Sequence, residues 1–94
     1  MRVTPGCALA RKMEDLHGQY LATTAPETAT WFVGEMDLVA CLISEIEFDQ
    51  SDMVVLRETI DRIKQARPHR FKFENHSAQI NRLLREVNED LENR

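Results

Sequence analysis

Residues 26–48 read PETATWFVGEMDLVACLISEIEF. Phe32, Met36, Val39, Ile43 and Ile46 recur at steps of three and four, the repeat that lines one side of an α-helix. Trp31, Val33, Leu38, Cys41 and Leu42 spread apolar character over most of the remaining circumference. Such a segment predicts a long helix packed on two sides, the centre of an all-α domain. Its start is marked by Thr24-Ala25-Pro26-Glu27, which fits a capping box with the proline in the first turn, where its missing N–H is harmless.

The same period continues outward in both directions. Upstream, Leu9, Met13, Leu16 and Tyr20 form one stripe of a helix from residue 8 to about 22, interrupted only by Gly18, which costs about 1 kcal/mol relative to Ala. Downstream, Asp49-Gln50-Ser51 ends the long helix, and Ser51 is positioned to cap a third in which Val55 or Leu56, Ile60 and Ile63 recur. Pro68 stops that helix near Ala66, because the residue before a proline avoids helical backbone angles. Arg67-Pro68-His69-Arg70-Phe71-Lys72-Phe73 alternates bases with aromatics and predicts an extended loop. Asn75 then caps a last helix, 76–92, whose narrow stripe of Ile80, Leu83, Leu84, Val87 and Leu91 suits helix pairing. The expectation is a single all-helical domain over residues 1–94, a small four-helix bundle with an extended basic loop before the last helix.

Composition agrees with a folded helical chain. Among 94 residues 43% are hydrophobic and 30% charged, with three glycines and three prolines, which excludes disordered and low-complexity classes. The longest wholly apolar run, Leu38 to Ile43, is far too short to cross a membrane, and the first residues lack the apolar core of a secretory signal. A cytoplasmic protein with Cys7 and Cys41 as reduced thiols is expected, Cys41 being buried by its apolar surroundings.

Chemistry-bearing constellations are missing from the pattern. His17, His69 and His76 share no zinc-ligand spacing with either cysteine, and there is no C-x-x-C or H-E-x-x-H. The acids around Asp49 lack the glycine turn and terminal glutamate of a calcium loop. With glycine only at positions 6, 18 and 34, no phosphate cradle or dinucleotide fingerprint can be written. No cofactor, no metal and no enzymatic activity are therefore expected.

Charge is more informative than motif. The formal net charge is −4, but residues 25–61 hold nine acids and only Arg57 as a base, whereas 62–76 hold Arg62, Lys64, Arg67, Arg70 and Lys72 against Glu74. Glu45, Glu47 and Asp49 gather at the end of the long helix, where the helix dipole disfavours negative charge, and Asp52 follows close behind. An acidic patch at Glu45, Glu47, Asp49 and Asp52 is thus the candidate partner-binding surface. Combined with the broad apolar helix, it predicts a non-enzymatic adaptor, inhibitor or regulatory accessory factor, of the small size common among phage-encoded inhibitors, that binds a larger protein. A homodimer through the last helix or the wide face of the second is a further expectation, since so short a chain has difficulty covering so broad an apolar surface.

Two alternatives use the basic segment. Arg62, Lys64, Arg67, Arg70, Phe71, Lys72 and Phe73 combine phosphate-neutralising charge with rings on which bases can stack, the pattern of a nucleic-acid-binding or transcription-related module. Against it stand the net negative charge and the lack of a basic helix suited to a DNA groove. Arg62 and His69, with six residues between them, resemble the R-x(4-6)-H motif of the HEPN ribonucleases, all-helical proteins that juxtapose this motif across two subunits. The resemblance implies a small ribonuclease using Arg62 and His69. Here Ile63 follows the arginine where that family typically has a polar residue, and Pro68 separates arginine from histidine.

Overall fold

A computed structural model describes residues 4–65 and 74–94. Four helices make up this part of the chain: α1 (Pro5–Ala22), α2 (Pro26–Glu45), α3 (Gln50–Gln65) and α4 (Glu74–Glu92). Among the described residues there is no strand. The expected basic loop, residues 67–73, lies outside the described residues.

The helix boundaries follow capping chemistry and depart from the sequence reading at several points. First, α1 begins at Pro5, three residues early, because Thr4 caps it by accepting the Cys7 N–H at 3.2 Å. Second, the capping box at Thr24 does not form. Pro26 is the first helical residue, which makes Ala25 the cap, without a side-chain bond, and leaves Thr24 one position too early. Third, α3 is capped by Asp49 rather than Ser51, its Oδ1 accepting the Asp52 N–H at 2.8 Å. Asp and Ser are equivalent caps, so neighbouring candidates cannot be ranked by residue type. α4 begins at Glu74, two residues before the expected start.

Each helix has two neighbours. α1 packs against α2 and α3, and α4 packs against the same two, so the bundle closes in the order α1, α2, α4, α3. The short link after Ala22 turns α2 back along α1. Pairing of Thr4 with Asp52 and of Glu14 with Arg62 shows that α1 and α3 run parallel. Thr30 beside His76, and Ile43 beside Arg94, show the same for α2 and α4. α2 and α3 therefore occupy opposite corners, and residues 46–49 cross the end of the bundle between them, with Phe48 packed onto the core. An extended chain gains about 3.3 Å per residue, enough for so short a link to cross.

One apolar core fills the centre. α1 contributes Met13, Leu16 and Tyr20, α2 contributes Phe32, Met36, Val39 and Ile43, and α3 contributes Leu56, Ile60 and Ile63. From α4, Ile80, Leu84, Val87 and Leu91 are all buried. Four of the five residues of the narrow α4 stripe are thus used within the chain, and Leu83 is partly buried beside them. Burying a Leu or Ile side chain stabilises a fold by roughly 1.5–3 kcal/mol, so this shared core is the main reason the helices stay together.

At one end of the bundle the parallel helices α1 and α3 meet at a single carboxylate. Asp52 is 5% exposed and accepts a 2.5 Å hydrogen bond from the Thr4 hydroxyl. Its charge lies at the positive ends of two helix dipoles. The approach is possible because position 6 is glycine: a Cβ there would come within 2.6 Å of Asp52 Cγ.

Candidate partner-docking surface

α2 has more apolar residues than its two neighbours can cover. Ala29, Phe32, Val33, Met36, Val39 and Ile43 face the core, whereas Trp31, Leu38 and Leu42 are 55%, 58% and 47% exposed. Leu38 and Leu42 follow Trp31 by seven and eleven residues, about two and three turns, so the three side chains form a ridge on one face. Trp31 is held by an edge contact with the buried Phe32 ring, centroids 4.8 Å apart. A half-exposed ring fixed in this way is typical of an interface anchor.

Cys41 lies beside the ridge and is exposed, contrary to the expectation of burial. Its neighbours in sequence, Leu38 and Leu42, point outward with it rather than inward. Cys7 is half-buried on α1, and the two thiols are unpaired.

Farther around the helix, α2 and α4 bound a shallow groove of about 180 Å³, floored by Ala40, Leu83 and Val87 and rimmed by Asp37, Glu86 and Asp90. This is well below the ~300 Å³ at which small-molecule pockets usually begin, so the groove suits single side chains of a partner better than a free ligand. α2 contains Glu27, Glu35, Asp37 and Glu45 and no lysine or arginine. Every charge that borders the ridge on its own helix is negative.

The acidic residues singled out from sequence have divergent positions. Glu45 ends α2 exposed, and Glu47 is exposed in the crossing segment. Asp49 is exposed but caps α3, where the helix dipole favours its charge, which supplies the structural reason that the sequence pattern left open. Asp52 is buried under Thr4 and Gly6, so it cannot take part in an exposed patch. The end of α2 is also neutralised from a distance. Arg94 donates to the Ile43 and Ile46 carbonyls at 2.7 and 2.5 Å, pairs with Asp90 at 2.9 Å, and lies 5.5 Å over the Phe48 ring.

The basic residues are dispersed. Arg62 pairs with Glu14 of α1 and donates to Thr59 at 3.1 Å. Lys64 is exposed in the last turn of α3, where a cation complements the helix dipole. Arg67, His69, Arg70, Phe71, Lys72 and Phe73 lie outside the described residues. Among the described residues no group of three potential metal ligands comes together, and no helix is long and apolar enough to cross a membrane.

No family model matches the chain, and neither a curated protein nor a solved structure is significantly similar to it. Its function has to be read from the surface itself. The sequence reading named the apolar residues of the ridge and gave the broad face of α2 both to packing and to a partner, without separating the residues that serve each. The signal that separates them is arithmetic: a helix with two neighbours buries little more than half its circumference, so an almost wholly apolar helix must leave some of that surface exposed.

Proposed function

We propose that this protein is a non-enzymatic interaction module that binds a larger protein through the apolar and acidic surface of α2. The observation that carries this reading is the ridge of Trp31, Leu38 and Leu42, three large apolar side chains aligned and about half exposed on the same helix. Isolated exposed apolar residues are ordinary, whereas an aligned set rimmed by charge marks an interaction surface. Glu45 and Glu47 extend the acidic border past the end of the helix.

A tagged full-length chain applied to a native lysate tests the reading, with half of the bound material treated with nuclease. The expected result is a stoichiometric protein that survives nuclease and is lost with Leu38→Asp, a substitution at an exposed site that leaves the fold intact. Capture of nucleic acid alone, or of a protein indifferent to Leu38→Asp, would overturn it.

A further inference from the structure

We infer that the occupant of the α2 face is a cationic amphipathic helix of another protein, with an apolar stripe on the Trp31–Leu42 ridge and lysines or arginines along both edges of that stripe. This rests on the docking role proposed for the same face. The shape argues for a helix. The ridge rises along one axis for roughly 16 Å, at 1.5 Å per residue, a straight line of three turns against which an amphipathic helix can lay its i, i+3, i+4 and i+7 side chains.

The charges argue for a cationic one. Glu27 and Glu45 close the two ends of the ridge and Glu35 flanks it, while Asp37 and Glu86 add negative charge farther around, on the rim of the groove. No base on α2 offsets them. A partner with Lys or Arg on both edges meets opposite charge along α2, up to the end that Arg94 covers, which speeds encounter and fixes orientation.

The same charges select against a second copy of this chain. Two α2 faces in contact would oppose four acids with four acids, and even at the dielectric of water like charges 4 Å apart repel by about 1 kcal/mol. Among the described residues the other exposed large apolar side chains, Leu21 and Val54, stand singly on α1 and α3. No other described face of the molecule offers an apolar stripe edged with bases.

Trp31 is the single tryptophan of the chain, which makes its emission a reporter of the ridge. The experiment titrates the full-length protein with a Leu/Lys amphipathic peptide of about 20 residues, long enough to form a helix. Two controls are the same peptide with Glu in place of Lys, and one of identical composition in scrambled order. The expected result is a saturable blue shift of Trp31 with the Leu/Lys helix only, weakened by salt and weakened at least about tenfold by Leu38→Asp, a change of about 1.4 kcal/mol. Equal binding of the Glu peptide would remove the charge argument, and equal binding of the scrambled peptide would remove the helical one. A concentration-dependent blue shift and dimer mass without peptide would make a second copy the occupant and overturn the inference. If the Leu/Lys helix fails while a lysate protein is still captured and lost with Leu38→Asp, the cationic helix alone is wrong. If both fail, the docking role falls with it.

Discussion

α4 and α2 are of nearly equal length and occupy adjacent corners of the same bundle, yet they handle their apolar residues in opposite ways. On α4 the stripe is narrow: Ile80, Leu84, Val87 and Leu91 are buried, and Leu83 is partly buried against the core. On α2 the apolar residues divide into a buried face and an exposed ridge. Both helices have two neighbours, so both can bury a similar arc. The difference teaches that apolar content beyond that arc does not serve this fold, and that a helix can look central in sequence while one side of it is left for something else.

The largest effect that tests this division comes from truncating each kind of position. Ile43→Ala on the inner face of α2 and Leu84→Ala on α4 should each cost about 2–5 kcal/mol, because both leave a cavity in a packed core. Leu38→Ala on the outer ridge should stay within about 0.5 kcal/mol. Urea denaturation of the three variants provides the check, and a ridge variant as damaging as the core ones would mean that the ridge is packed after all.

Two glycines extend the comparison with opposite signs. Gly6→Ala should destabilise by about 1–3 kcal/mol, since the new methyl collides with Asp52 between two parallel helices. Gly34→Ala, on the open side of α2 with nothing within 4 Å, should instead stabilise by about 0.5–1 kcal/mol by restricting the unfolded chain. Thermal melts of the pair would show shifts in opposite directions if α2 is open where α1 is closed.

The smallest effect concerns a polar residue on an inner face. Burial on α1 lowers the proton affinity of His17 below its ordinary value of 6.5. The unfolded chain then binds that proton more readily, so the contribution of His17 is complete above pH 6.5 and declines as the pH falls through that value toward the folded one. Between about pH 7 and pH 5 the wild-type stability should fall more steeply than that of His17→Gln, with the carboxylates common to both cancelling in the difference. Parallel slopes would show that His17 is solvated in the fold.

Much of this architecture was legible in the residues, and the reason is local. The period of Leu16 and Tyr20, of Met36 and Val39, and of Leu84 and Val87 reports which side of a helix is apolar, and proline at position 26 reports a first turn, so helix number, order and inner faces could be read directly. Cap identity was less accessible. Asp49, Ser51, Thr4 and Thr24 are all competent caps, and which of them functions depends on where the backbone begins to coil.

The candidate site was legible only in its ingredients. Sequence showed acids at Glu45, Glu47, Asp49 and Asp52 and a broad apolar second helix, but a stretch of like residues does not state which of them face the same way. Tertiary structure separated them: Asp52 turned inward beneath Thr4, Asp49 became a cap, Arg94 came across from some fifty residues away to neutralise the end of α2, and Leu38 and Leu42 were left outside. By itself, then, the sequence determined four amphipathic helices and their core-facing sides, because side-chain period and capping act within a few residues. Only the tertiary structure decided that α2 lies diagonally across from α3, with α1 and α4 as its close neighbours among the described helices, because that choice depends on how four apolar stripes can be covered at once. It is this arrangement that leaves Trp31, Leu38 and Leu42 facing solvent, bordered on α2 by Glu27, Glu35 and Glu45.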